Sequence, residues 1–461
     1  MPGRQKDFLK FRIRHKKLIY ENFHYSFLNE AINIHFSFLM EDKKEAETTF
    51  MRFEPSISLS LRANSKKIKD LNVHALENLI FNMGMVELIS YWKVACPSEV
   101  IIKPFHLDPN QINFWKKLYW NGLGEFFYVN GIETSISDFM QIKSESKEEL
   151  KPFAFHATEK IIVPIGGGKD SAVSLELLKD ASLELLPFII NPREASLNTV
   201  KQAGLSDANL LLANRQIHPT LLKLNEQGYL NGHTPFSAML AFSSLLQAYL
   251  SGSKYIALSN ESSANEPSVA GSHVNHQYSK SFEFESDFRD YYKKYITKGI
   301  EYFSFLRPLS ELQIACLFAK LESHHYSFRS CNVGSKKDEW CCNCPKCLFT
   351  YIMLAPFLPE NELNKMIGEN LIIKPSLQNS LKELRGLTKV KPFECVGTVD
   401  EVNLALYQAI TNNAYARSQS TDLQDDTFDQ IHFNIALKDW NREHFLPEFL
   451  EILLKARLGQ C

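Results

Sequence analysis

No apolar run in these 461 residues is long enough to cross a bilayer, which argues against a membrane-spanning protein. The first twenty residues are basic (Arg4, Lys6, Lys10, Arg12, Arg14, Lys16, Lys17) but lack the apolar segment of a secretory leader, so the expectation is a cytoplasmic protein. Excess charge is missing too. Fifty-one Lys and Arg against 53 Asp and Glu leave a net charge of −2, which gives no strong field for nucleic acid or an anionic membrane. Internal repeats and low-complexity tracts are absent, which excludes solenoids and long disordered stretches. An even disulfide framework is also lacking. Of nine cysteines, five fall between Cys331 and Cys347, and Cys96, Cys316, Cys395 and Cys461 stand singly, a clustering that points to metal.

What the chain does have is one stretch around which the rest is organised, Ile161-Ile162-Val163-Pro164-Ile165-Gly166-Gly167-Gly168-Lys169-Asp170-Ser171-Ala172-Val173. A β-branched run feeds three glycines, and a helical pattern (Val173, Leu175, Leu178) follows. The order predicts strand, phosphate loop, helix. Glycines turn tightly and bring backbone N–H groups to an anion, while the helix start adds unpaired donors and the positive end of its dipole. Lys169 follows the glycines directly and Asp170 separates it from Ser171, so this is not a Walker A loop; the spaced glycines of the dinucleotide fingerprint are missing as well. The hexamer GGGKDS resembles the SGGxDS pyrophosphate loop of the N-type ATP pyrophosphatases, with Gly166 in place of the leading Ser and one side-chain donor fewer. That resemblance implies cleavage of ATP to AMP and pyrophosphate with adenylation of a substrate oxygen.

The length allows two or three domains, and 44% hydrophobic with 23% charged residues is a globular composition. Residues 1–150 read as an α+β domain. Phe11 and Ile13, then Ile32, Ile34, Phe36 and Phe38, alternate with polar residues like half-buried strands, and 41–47 reads as a charged loop. From Val73 to Trp92 the spacing of Leu76, Leu79, Ile80, Met83, Val86 and Ile89 predicts a helix with one buried face, and Gln111, Phe114, Trp115 and Leu118 predict another. The Lys, Glu and Ser-rich segment 143–151 marks the boundary. In residues 151–355 the strand of the phosphate loop is followed by strands over 185–190, 210–213 and 255–259, with a helix over 237–249. The expected architecture is a doubly wound parallel α/β sheet. Residues 356–461 read as helical, with Val402, Leu404, Ala405 and Ala409 on one helix, Phe449, Leu450, Leu453 and Leu454 on the last, and an irregular insert over 391–398.

Ligands of such sheets bind at the carboxyl ends of the strands, where unusual polar residues gather here. Asn191 and Arg215 each close a strand, Asn231-Gly232-His233 precedes a helix, and Asn260-Glu261 with Glu266 follows the fourth strand; Asn275-His276 with Lys280 comes next. Each segment alone is ordinary loop, and their convergence is what makes a pocket.

Cys331, Cys341, Cys344 and Cys347 are separated by nine, two and two residues, spacings that close a tetrahedral zinc site. Cys342 competes with Cys341 for the ligand position, and four-cysteine ligation fits an iron–sulfur cluster as well as zinc.

The phosphate loop with this cysteine cluster is similar to the synthases that form 7-deazaguanine nitriles, a likeness that ends with the central domain. A wider one spans nearly the whole chain. MVELISYWK (85–93), GEFFY (124–128), PIGGGKDS (164–171), LNGHTPFSA (230–238), SNESSANE (259–266), VNHQYSKS (274–281), WCCNCPKCLF (340–349) and KPFECVGT (391–398) resemble segments of the MurL family. The resemblance implies an ATP-dependent UDP-N-acetylmuramoyl-L-alanyl-L-glutamate epimerase of peptidoglycan precursor synthesis, with ATP and Mg²⁺ as cofactors, a structural Zn²⁺ and a small UDP-sugar peptide as substrate. Under it Gly166, Gly167, Gly168 and Ser171 hold pyrophosphate, Lys169 offsets its charge, Asp170 places Mg²⁺ and Asn191 lies near adenosine. Arg215 or Lys280, with Asn260, holds a substrate anion, and His233, His276, Glu261 and Glu266 are the candidate proton carriers. An enzyme of the same superfamily adenylating a nucleobase or tRNA keeps every central motif, but should carry a basic surface. A non-enzymatic zinc-stabilised binding protein is the third class.

Overall fold

The computed structural model describes residues 3–45, 47–61, 70–412, 429–459 and 461. In chain order its strands are β1 (Lys17–Leu28), β2 (Ala31–Lys43), β3 (Thr48–Phe53), β4 (Ser56–Ser60), β5 (Glu99–Ile102), β6 (Gln141–Ser144), β7 (Thr158–Pro164), β8 (Glu184–Ile190), β9 (Leu211–Gln216), β10 (Ser253–Leu258) and β11 (Glu301–Ser304). The chain forms two compact units. The first takes Met1–Lys160, Leu211–Tyr255 and His273–Glu301; the second takes Ile161–Leu210, Ile256–Ser272 and Tyr302–Cys461. No helix of the described residues is long and apolar enough to cross a membrane.

In the first unit the strand order is β9-β4-β2-β1-β5-β6, with β3 on β2. β1 and β2 make a long antiparallel hairpin whose turn residues, Asn29 and Glu30, have φ of 54° and 56°, the left-handed backbone that matches the twist of paired strands. Ile32, Ile34, Phe36 and Phe38 line its buried face as expected. Phe11 and Ile13 do not belong to a strand. They lie in the helix Gln5–Arg14, where Ile13 is 76% exposed; the short alternation there is also compatible with a helix. The loop expected over 41–47 starts later, since β2 runs to Lys43. The strand expected over 210–213 is β9, but it pairs antiparallel with β4. Parallel pairing in this unit joins β1 to β5 and β5 to β6.

The helix Val73–Trp92 is the centre of this unit and starts on Asn72, whose side chain accepts the N–H of Ala75. One buried face was expected, yet Asn78, Asn82, Glu87 and Ser90 are buried with the apolar residues. A helix enclosed on every side tolerates polar groups only when they are satisfied. Asn78 donates to the carbonyls of Lys151 and Tyr295, Asn82 accepts from the hydroxyl of Tyr291, and Glu87 holds Arg215. Gly84 lets Tyr20 of β1 lie against the helix, for a Cβ there would sit 2.0 Å from the tyrosine Oη.

In the second unit the order is β11-β10-β7-β8. β7 and β8 are neighbours joined by the helix Lys169–Leu178, the connection of a parallel βαβ unit. That helix packs on Glu311–Ala319, which packs on Pro345–Leu354, which in turn packs on Val399–Asn412. The α/β fold with a helical C-terminal region is therefore as expected, and the insert over 391–398 is irregular. The reading of Cys316 and Cys461 as single residues fails: a disulfide joins them across 145 residues. No local spacing signals a pair formed only by packing of the last residue on a distant helix.

Candidate active site

β7 delivers the chain to Gly166, and Gly168 is the N-cap of the helix Lys169–Leu178, with no side chain capping its first N–H groups. Gly167 has φ of +84°, and a Cβ there would lie 2.7 Å from the backbone nitrogen of Ser196, so the position demands glycine twice over. Arg193 donates to the carbonyl of Gly166 at 3.0 Å, the N–H of Arg329 to that of Gly167 at 2.8 Å, and Ser171 Oγ to that of Gly168 at 3.0 Å. With the carbonyls engaged, the N–H groups at the helix start remain the anion-facing side of the loop. Asn191, directly after β8, has φ of +51°.

Lys169 is buried and donates from Nζ to the carboxylates of Asp170 and Glu311. Burial alone would push its pKa down; the two carboxylates outweigh burial and raise it, so the ammonium keeps its charge. Glu311 moves up as well, first because it is buried, then because Asp170 and Glu261 crowd it with like charge while Lys169 pulls the other way. Glu401, also buried and raised by burial, accepts the N–H groups of Glu311 and Thr398 at 2.7 Å each, and so anchors the start of the helix that carries Glu311. Oxygens of Asp170, Glu261 and Glu311 lie within 4.8 Å of one another. Three carboxylates grouped around one lysine offer a set of oxygen ligands of the kind a divalent cation takes.

The structure thus groups Glu261 with Asp170 rather than with the histidines. Asn260 donates to Ser304 Oγ at 3.0 Å, and the buried Arg307 donates to the carbonyl of Glu261 at 2.6 Å, so this pair of residues is held from behind. Glu266 is bonded to Lys391 of the insert.

Sγ atoms of Cys331, Cys341, Cys344 and Cys347 form one cluster, with separations of 3.9 Å (331 to 344), 3.8 Å (341 to 347) and 3.5 Å (344 to 347). A tetrahedral ion with metal–sulfur bonds near ~2.3 Å sets its sulfurs ~3.8 Å apart, so the four residues fit one zinc ion. Backbone N–H groups of Gly334, Cys341 and Cys347 point at sulfurs of the cluster, as thiolates require. Cys342 is excluded, because its thiol donates to the carbonyl of Ile367 at 3.0 Å.

The first unit holds a separate constellation. His276 Nδ1 is 2.5 Å and His233 Nδ1 3.7 Å from Oε2 of Glu125, on the helix Gly124–Asn130, and the two imidazole rings are in contact with centroids 4.4 Å apart. Burial, helped by His276, Lys93 and Lys280 and opposed by Glu125, pushes His233 down to about 4. His273, by contrast, is exposed. Arg215 makes a bidentate pair with the buried Glu87 at 2.7 and 2.8 Å and donates to Ser90 Oγ, so this expected substrate ligand is committed to structure. Lys280 belongs to the same unit, half-buried.

Sequence reasoning missed Glu311, Glu401, Glu125 and Lys93. Glu125 is the second residue of GEFFY and Lys93 the last of MVELISYWK, segments already singled out without a role attached to either residue. Glu311 carried one signal, its place in the first turn of a helix with Ser310 as cap.

The MurL N-terminal domain model matches residues 12–305 and the MurL C-terminal domain model residues 326–432. A protein of Salinispora tropica named UDP-N-acetyl-alpha-D-muramoyl-L-alanyl-L-glutamate epimerase is 34% identical over 364 residues, 77% of this chain and 78% of the relative. Proteins of the same name from Xanthomonas oryzae pv. oryzae and a Micromonospora strain are each 33% identical, over 73% and 77% of this chain and 75% and 79% of their own lengths.

Proposed function

The chain belongs to the MurL family, and from that premise we propose that it inverts the glutamyl α-carbon of UDP-N-acetylmuramoyl-L-alanyl-L-glutamate, converting ATP to AMP and diphosphate, in the cytoplasm during peptidoglycan precursor synthesis. Removing an α-proton beside a free carboxylate would place a second negative charge on one group. Adenylation of that carboxylate removes the obstacle: the acyl-adenylate makes the α-proton far more acidic, a base takes it, a proton added from the other face inverts the centre, and water releases the product.

On this reading Gly166, Gly167, Gly168 and Ser171 hold the pyrophosphate, Lys169 offsets its charge, and Asn191 sits near adenosine. Asp170, Glu261 and Glu311 hold Mg²⁺, which supplies charge neutralisation when bound. The observation that supports the ATP chemistry is a buried Lys169 bonded to Asp170 and Glu311 at an uncapped helix start, with the carboxylate of Glu261 grouped beside them. Zinc at Cys331, Cys341, Cys344 and Cys347 is structural. Lys280 replaces Arg215 as the ligand for a substrate anion, since Arg215 is paired with Glu87.

His233 and His276 carry protons. Two bases that act on opposite faces must have an α-carbon between them, and rings with centroids 4.4 Å apart leave no room for one. They therefore serve one face together, with His276 Nδ1 held by the carboxylate of Glu125.

The test is incubation with ATP, Mg²⁺ and the L-glutamyl substrate in deuterated water. AMP release with deuterium in D-configured product is the expected result. AMP without exchange would discard epimerisation, and neither signal would turn attention to nucleobase or RNA substrates.

A further inference from the structure

Inversion needs a second proton carrier besides the histidine pair. Resting on the epimerase reading, we propose that Lys93 is the base that takes the α-proton of the L-glutamyl centre, and that the His233–His276 pair returns a proton to the opposite face.

Lys93 caps the C-terminal end of the helix Val73–Trp92 and is 8% exposed. Its Nζ donates to the carbonyl of Gly232, the residue before His233, at 2.5 Å. No carboxylate of the described residues lies within ion-pair distance of it. Among the other buried cations, Lys169 rests on two carboxylates, whereas Arg307 and Lys346 donate to the backbone carbonyls of Glu261 and Cys395; Lys93 is the one of them beside the two histidines. A buried ammonium facing only a neutral carbonyl is costly, and loss of its proton relieves the cost. The charged groups around it divide. Burial is the main influence and Arg215 on β9 adds to it, while Glu125 opposes; the amine is pushed down to about 8. His233, the other titratable group of this cluster, is held neutral in turn, partly by Lys93. A lysine with this environment is neutral often enough near pH 8 to act as a base.

The step balances. The amine lone pair takes the α-proton and becomes ammonium, and the C–H electrons move into the acyl-adenylate carbonyl as an enolate. The imidazolium of His276 then gives its proton to the other face of the α-carbon, and both carriers reset by exchange with water.

The test uses Lys93→Arg, which keeps a cation and a donor for Gly232 but does not deprotonate, and Lys93→Met, both checked for folding by circular dichroism. Deuterium at the α-carbon should fall by about 10³-fold, while AMP release continues because water returns the acyl-adenylate to L-substrate. In the wild type, exchange should rise with pH through about 8, and this limb should be missing from residual exchange in Lys93→Arg. Small alkylamines added to Lys93→Ala should restore exchange in order of their basicity, which a purely structural lysine would not allow. Exchange within threefold of wild type in either variant overturns the proposal. So does loss of AMP release in both folded variants, because the base acts after adenylation. A wild-type protein with neither AMP release nor exchange would instead defeat the epimerase reading itself.

Discussion

The ammonium of Lys169 rests on the carboxylate of Glu311, a residue 142 positions further along the chain. The pairing ties the phosphate loop to the first turn of the helix Glu311–Ala319, whose own N-terminal N–H is held by Glu401. Replacing Glu311 by Gln removes a charge that burial already disfavours, while Asp170 still faces the lysine. The variant should fold normally yet release AMP about 10²-fold more slowly, measured by chromatography of the nucleotides.

The cysteine cluster separates two adjacent residues. Cys341→Ser should lose bound metal and melt at a lower temperature, whereas Cys342→Ser should retain one ion per chain, since the thiol of Cys342 is bonded to the carbonyl of Ile367. Elemental analysis of the purified proteins reads the difference, and equal metal content in the two variants would contradict the assignment.

His233 makes stability depend on pH. Its folded pKa, about 4, lies below the ordinary 6.5, so the unfolded chain binds the extra proton first. The stabilisation is complete above pH 6.5 and is lost as pH falls toward 4, amounting to roughly 3 kcal/mol across that window. Urea titrations at pH 7 and pH 4.5 should show the decline, and His233→Asn should flatten it.

Tyr20 and Gly84 test packing at the central helix. The buried hydroxyl of Tyr20 has no hydrogen-bond partner among the described residues, so Tyr20→Phe should leave stability unchanged or raise it. Gly84→Ala drives a methyl into the tyrosine ring and should destabilise by about 3 kcal/mol. Thermal melts of the two variants should move apart.

The disulfide predicts a redox-dependent melt. Closing a loop of 145 residues is worth up to about 5 kcal/mol in the chain-entropy picture, so reductant or Cys461→Ser should lower the melting temperature with the phosphate loop intact. Peptide mapping under non-reducing conditions checks the bond directly.

Much of the second unit was legible because its signals are local. Three glycines at a strand-to-helix junction, and short cysteine spacers, carry their chemistry in consecutive residues. The first unit was harder. Phe11 and Ile13 alternated over too few residues to separate strand from helix, and the helix Val73–Trp92 hid its buried Asn and Glu behind a pattern that suggested a single apolar face. Nothing in the sequence reveals that Arg215, expected at a strand end, pairs with Glu87.

By itself the sequence determined the glycine loop between strand and helix, the α/β class with its helical C-terminal region, the cysteine cluster up to the choice between Cys341 and Cys342, and the family. Those follow from backbone requirements and ligand spacing, which neighbouring residues impose on one another. Only the tertiary structure decided which charges meet: Lys169 with Glu311, Arg215 with Glu87, His233 and His276 on Glu125, and Lys93 with no carboxylate within ion-pair distance among the described residues. Electrostatic partnership depends on distance and burial rather than order along the chain, so these pairings became visible once the fold had brought the residues together.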